Sequence, residues 1–220
     1  MKQPHWIVRL IFPDKCLLCG KMLQTPGIYL CPKCLANTPE ALKLKQKIPF
    51  LSGAFALWYY EGAVRTSILR YKFRRRRGYA RDYGSILAGK LANLHKQYDL
   101  IVWVPVSRLR KLKRGFDQVE LVARVLCKEL GRTPVPCLKK IRHTPPQSGI
   151  ASAAQRRANV LGAYKVLDPE FVRGKKILLL DDIITTGATI SECAKTLMAA
   201  GAKEVYGVAI ATTRQYKSNQ

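Results

Sequence analysis

The sequence predicts an α/β fold, a parallel sheet with helices on both faces, preceded by a small cysteine module. Residues 177–180 and 100–104 are apolar without alternation, the pattern of strands covered on both sides. Strand and helix patterns then alternate along the chain, as a parallel sheet with crossover helices requires. Four cysteines near the start are too regularly spaced to be core residues. The 220 residues have room for one medium domain and a small module, and we set the two at residues 1–48 and 49–220.

In the module, Cys16-x2-Cys19 and Cys31-x2-Cys34 are separated by eleven residues, a spacing that lets two turns present four thiolates to one tetrahedral zinc. A redox dithiol needs only one such pair on a strand-to-helix unit, and the surroundings here are rich in Pro and Gly. With so little apolar area to bury, the module takes its folding energy from the metal, and four thiolate ligands leave no position open for catalysis.

Residues 38–49 read as a lysine-bearing connector of moderate helical character. Residues 54–60 are apolar and aromatic, hence a strand, and Val64, Ile68 and Leu69 follow at helical spacing. Residues 65–81 then hold eight cations and no acid: Arg65, Arg70, Lys72, Arg74, Arg75, Arg76, Arg77 and Arg81. Tyr71 and Tyr79 are interleaved with them. Cations that track phosphates beside rings that stack on bases suit single-stranded DNA, while Tyr83, Ile86 and Leu87 also fit the buried face of a helix. Residues 99–105 are expected to be the first strand of the sheet proper. A basic loop at 108–114 follows, and Asp117 caps the next helix. Residues 138–142 read as a short strand, 144–158 as a mobile loop and 159–166 as extended chain. Residues 205–211 form the last strand.

The strand at 177–180 runs into Asp181, Asp182, Ile183, Ile184, Thr185, Thr186, Gly187, Ala188 and Thr189, followed by a helix. Hydroxyls and backbone N–H groups at a helix N-terminus favour a phosphate, and Gly187 lets the backbone come close. Carboxylates accept from sugar hydroxyls and repel phosphate oxygens, which points to a phosphorylated sugar as ligand, the alternative being an ordinary strand-turn-helix with solvent-facing acids. The turn lacks the Gly-Lys-Ser/Thr ending of a P-loop.

The 39 Lys and Arg against 14 Asp and Glu give a formal charge of +25, which points to a polyanionic partner, nucleic acid before an anionic membrane surface. No apolar span of membrane length is present, and the run at residues 6–12 is broken by Arg9, so the chain reads as cytoplasmic with no transmembrane segment.

The run at 181–189 resembles the phosphoribosyl pyrophosphate (PRPP) motif of type I phosphoribosyltransferases. By that resemblance Asp181 and Asp182 hold the ribose hydroxyls, and Thr185, Thr186, Gly187, Ala188 and Thr189 hold the 5′-phosphate. The whole chain is similar to the ComF family, the competence and DNA-utilisation branch of the phosphoribosyltransferase-like proteins. The similarity runs through the cysteine module, Tyr60-x-Gly62-x-x-Arg65, Val104-Pro105-Val106, Arg114-Gly115-Phe116-x-Gln118, Arg142-x-Thr144-x-x-Gln147 and Arg157-x-Asn159-Val160. Asp117 stands where the family suggests Asn, and Tyr164 where it suggests Phe. The resemblance implies a pyrophosphate loop at Val106, Ser107 and Arg108, a flexible cover at 144–159, and Mg²⁺ arriving with PRPP. It also implies action on incoming DNA with a helicase-like translocase and other competence factors. Three functions follow: a single-stranded DNA-binding protein with a PRPP-type pocket, an active phosphoribosyltransferase, or a zinc-dependent adaptor whose turn no longer binds ligand, against which the intact acids and turn residues count.

Overall fold

The computed structural model describes residues 14–25, 27–74, 76–145 and 152–214. The apolar run at 6–12, Arg75 and Gln147 lie outside them. Among the described residues the main sheet has five strands in the order β1-β2-β7-β6-β3. They are β1 (Glu40–Lys43), β2 (Gly53–Tyr59), β3 (Leu100–Trp103), β6 (Lys176–Ile184) and β7 (Glu204–Thr212). β2, β7, β6 and β3 run parallel, and β1 lies antiparallel on the edge. A separate antiparallel pair, β4 (Leu138–Lys140) with β5 (Tyr164–Val166), forms a small hood.

Alternate residues of each central strand enter different cores, as the two-residue period of a strand demands. Leu178 and Leu180 of β6, with Ile101 and Trp103 of β3, join the core under α2 (Gly62–Phe73), α3 (Tyr79–Leu91) and α5 (Gln118–Glu129). Ile177, Leu179 and Val102 join the opposite core with β4, β5 and α8 (Ala188–Ala199). α3 and α5 approach closely at Gly84, where a Cβ would lie 2.6 Å from Val125.

Several sequence expectations are corrected. The connector is not helical: Glu40–Lys43 is a strand because β2 offers it an open edge, with Leu42 facing Ala56 in the register. The sheet therefore starts before residue 99, and β2 is an interior strand beside β7. The basic loop is a helix, α4 (Arg108–Arg114), begun by Ser107 and ended by Gly115 in the left-handed region. The loop expected at 152–158 is instead α6 (Ala153–Val160), with Ser152 and Gln155 forming a capping box that also draws Asn159 and Val160 out of extended structure.

The cysteine module is joined to this body. Leu17 and Leu18, between the first two cysteines, are fully buried in the core shared with α2 and α3. Ser67 Oγ donates to Leu17 O at 2.5 Å, and Arg70 donates to Leu18 O.

Candidate functional site

β3 stops at Trp103, opposite Leu180, while β6 continues to Ile184 along β7. Asp181 and Asp182 therefore lie inside β6 rather than beyond its end, on the stretch whose other edge β3 has left open. Gly187 (φ 76°) turns the chain into α8, and Ile48 packs against it, 3.0 Å from where a Cβ would stand. Asp181, Ile184, Thr185, Gly187, Ala188 and Thr189 border one hollow at the carboxyl end of the sheet, which is where open α/β sheets bind ligands.

The acids are set apart by their surroundings. Burial, then the adjacent Asp182 charge, push the Asp181 carboxyl up to about 8. Burial also opposes the charge on Asp182, but Lys72 Nζ at 2.8 Å and Gln118 Nε2 at 2.9 Å outweigh it and hold Asp182 below the usual carboxylate range. One residue is neutral and the other ionised with its own counter-ion, a division that two adjacent buried carboxylates require.

Around the hollow, Asp117 Oδ1 accepts from Val119 N and Glu120 N as the α5 cap, and its other oxygen accepts from Val106 N at 2.9 Å. The cap thereby fixes the segment Val106, Ser107, Arg108, although it also occupies the Val106 amide. Ser107 Oγ lies 3.2 Å from His143 Nδ1. On the hood, Lys140 donates to Thr144 Oγ1, and burial together with Arg110 brings its pKa down to about 8. Arg156 Nη1 reaches Thr185 Oγ1 at 3.5 Å.

Of the sequence candidates, Asp181, Thr185, Gly187, Ala188 and Thr189 border the hollow, whereas Asp182 and Thr186 do not line it, Asp182 facing Lys72 and Gln118 instead. The basic stretch is not one face. Tyr71 is fully buried, its ring between Tyr83 and Phe116 and its hydroxyl donating to Gln118 O, so it is not available to stack on a base. Lys72 faces Asp182, and Arg70 serves the cysteine module. Arg65, Arg74, Arg76, Arg77 and Arg81 are exposed, and Tyr79 is half-buried against Tyr83. Lys72 as counter-ion, Lys140 and Arg156 were missed, because each joins the site from a distant part of the sequence. The clue for Lys72 was local, its position one helical turn from the buried Ile68.

The sulfurs of Cys16, Cys19, Cys31 and Cys34 all lie within 4.8 Å of one another, and Cys19 and Cys31 are 3.7 Å apart. Tetrahedral zinc with 2.3 Å bonds sets sulfurs about 3.8 Å apart, so the cluster fits such an ion. Burial and the other three sulfurs push the Cys34 thiol up, whereas at Cys16 amide donors outweigh burial and bring the pKa to about 7. A cation is what would let all four ionise together.

Fold and hollow define a phosphoribosyltransferase-type α/β domain. The model of the phosphoribosyl transferase domain matches residues 112–220. The chain is 32% identical over 203 residues to competence protein ComFC of Streptococcus pneumoniae, covering 87% of this chain and 86% of that one. It is 29% identical to competence protein F of Haemophilus influenzae (86% and 81% covered) and 28% identical to DNA utilization protein YhgH of Escherichia coli K12 (91% and 88% covered). The chain belongs to the ComF family. Among solved structures, the glutamine PRPP amidotransferase of B. subtilis aligns with a TM-score of 0.44 at 22% identity, over 64% of this chain and 30% of that one. No helix among the described residues is long and apolar enough to cross a membrane.

Proposed function

We propose that this protein binds single-stranded DNA during DNA uptake and carries a PRPP-type pocket at the end of β6, with a structural zinc in the cysteine module. The observation that carries the reading is the hollow at 181–189, where the Asp181 carboxyl and a donor-rich turn face one space. Asp181 and Asp182 take the ribose hydroxyls. Thr185, Thr186, Gly187, Ala188 and Thr189 take the 5′-phosphate, and Val106, Ser107 and Arg108 the pyrophosphate. Zinc, when bound, would offset half the charge of the four thiolates and tie the module together. The charge of +25 and the relatives' names, a competence protein and a DNA utilization protein, support DNA as partner.

Filter binding across a salt series tests the DNA reading. Replacing Arg74, Arg75, Arg76 and Arg77 with Ala is expected to cut the log–log slope by up to about three, at about 0.7 per phosphate. An unchanged slope moves the DNA path off this segment.

The second reading, a Mg²⁺-dependent phosphoribosyltransferase, is favoured by one observation: two cationic groups, Lys140 and Arg110, converge on Thr144 beside the hollow. Pyrophosphate release on mixing the protein with PRPP, Mg²⁺ and candidate acceptors separates it from a binding pocket. Release identifies an enzyme, and its absence leaves the binding reading.

A further inference from the structure

We propose that the end of α2 and the whole of α4 form one strand-binding surface, with Phe73 as the platform on which a base of single-stranded DNA stacks. The proposal rests on the DNA-binding reading above and gives it a place.

In sequence, residues 65–81 and 108–114 are separate basic segments. In the structure they meet twice. The Arg114 guanidinium lies 5.4 Å from the centre of the Phe73 ring, and the Arg77 guanidinium lies 5.4 Å from that of Phe116. Arg77 Nη2, in the turn that follows α2, also donates to Gly115 O at 2.7 Å, joining that turn to the cap of α4.

Phe73 is 68% exposed, whereas Tyr71 is fully buried and Tyr79 is half-covered by Tyr83 and Arg70. An exposed ring beside an arginine plane is the arrangement that receives an unpaired base. α4 buries none of its residues, and Leu112 stands 78% exposed. A helix that contributes nothing to the core presents its side chains to something else. Among the described residues Arg74, Arg76, Arg108 and Lys113 have no carboxylate partner, unlike Lys111, which pairs with Glu120. Unpaired cations on both sides of an exposed ring match a phosphate backbone carrying a splayed base. The apolar content of α4, Leu109 and Leu112, is far short of the continuous face by which a helix lies in a bilayer.

The surface ends at the acid pair. Lys72 and Phe73 are adjacent on α2, so their side chains diverge by about 100°. Lys72 turns in to Asp182 at 2.8 Å, and Phe73 turns out. Burial of Arg114 opposes its charge and lowers its pKa, and the nearby Asp182 charge offsets part of that. A base on Phe73 therefore sits one residue along α2 from the lysine that holds Asp182.

Fluorescence anisotropy with a labelled oligothymidylate tests the proposal on the full chain. Phe73→Ala is expected to weaken binding about tenfold with an unchanged salt slope, and Phe73→Tyr to restore it. Arg108→Gln with Lys113→Gln is expected to lower the slope by about 1.4, two phosphates' worth. Wild-type affinity and slope in all these variants overturn the surface while leaving DNA binding intact. A wild-type protein that binds no oligonucleotide overturns the DNA reading and the surface with it. Leu109→Ser with Leu112→Ser supplies a further arm. If it abolishes binding to phosphatidylglycerol vesicles while Phe73→Ala leaves oligonucleotide binding unchanged, the surface belongs to a membrane and the proposal fails.

Discussion

The turn at 181–189 and the basic stretch at 65–81 both announce themselves in the sequence, but one is a contiguous site and the other is not. Most residues of the turn, Asp182 and Thr186 apart, border a single hollow, because a strand end and a helix start enclose it directly. α2 instead rotates by about 100° per residue. It sends Ser67 and Arg70 to the cysteine module, Tyr71 into the core, Lys72 to Asp182 and Phe73 to solvent. The composition of a turn can define a site, while the composition of a helix must first be divided among its faces.

The largest test of that contrast is a pair of neighbours on α2. Tyr71→Ala is expected to lose about 3–5 kcal/mol of stability, as truncation of a buried ring does, and Phe73→Ala to stay within about 0.5 kcal/mol of wild type. Urea denaturation measures both, and similar values would mean that α2 does not split its side chains as described. Gly187→Val comes next, at about 1–3 kcal/mol, because a β-branched residue is strained at φ 76° and meets Ile48. The same variant is expected to lose ribose 5-phosphate binding, whereas an equally strained turn elsewhere would affect stability alone.

Smaller is the pH effect of the acid pair. Asp181, with its pKa raised to about 8, keeps a proton that the unfolded chain releases near pH 4, so its burial erodes stability as pH rises between those values. Asp182 has the opposite sign: its depressed pKa stabilises the fold above about pH 4, and that contribution fades as pH falls through the folded value. Asp181→Asn is therefore expected to match wild type below about pH 4 and to exceed it by a margin in Tm that widens as pH rises towards 8. Thermal melts across pH check this. A difference that shrinks as pH rises contradicts the assigned protonation.

Much of the fold was legible because its signals are local. The apolar runs of β3 and β6, the four spaced cysteines and the Asp117 cap depend on neighbours in sequence. What escaped was decided by contacts from afar. Residues 40–43 have little strand character of their own and become β1 because β2 presents an edge. The loop reading of 108–114 failed because cations are good helix formers once Ser107 and Gly115 close the ends. At the site, the turn was legible, but Lys72 meets Asp182 from α2 and Lys140 holds Thr144 on the hood, and although the helical spacing from Ile68 turns Lys72 inward, nothing in the chain names Asp182 as its partner.

The central claim is that the end of β6 binds a phosphorylated ribose through its acids as well as its turn. Calorimetric titration of ribose 5-phosphate, with inorganic phosphate as comparison, tests it in wild type and in the Asp181→Ala, Asp182→Ala double variant. The account predicts that the double variant binds the sugar phosphate at least about tenfold more weakly, in line with about 1.5–3 kcal/mol for a bond to a charged acceptor, and binds phosphate with little change. Equal affinity of the two proteins for ribose 5-phosphate would contradict it.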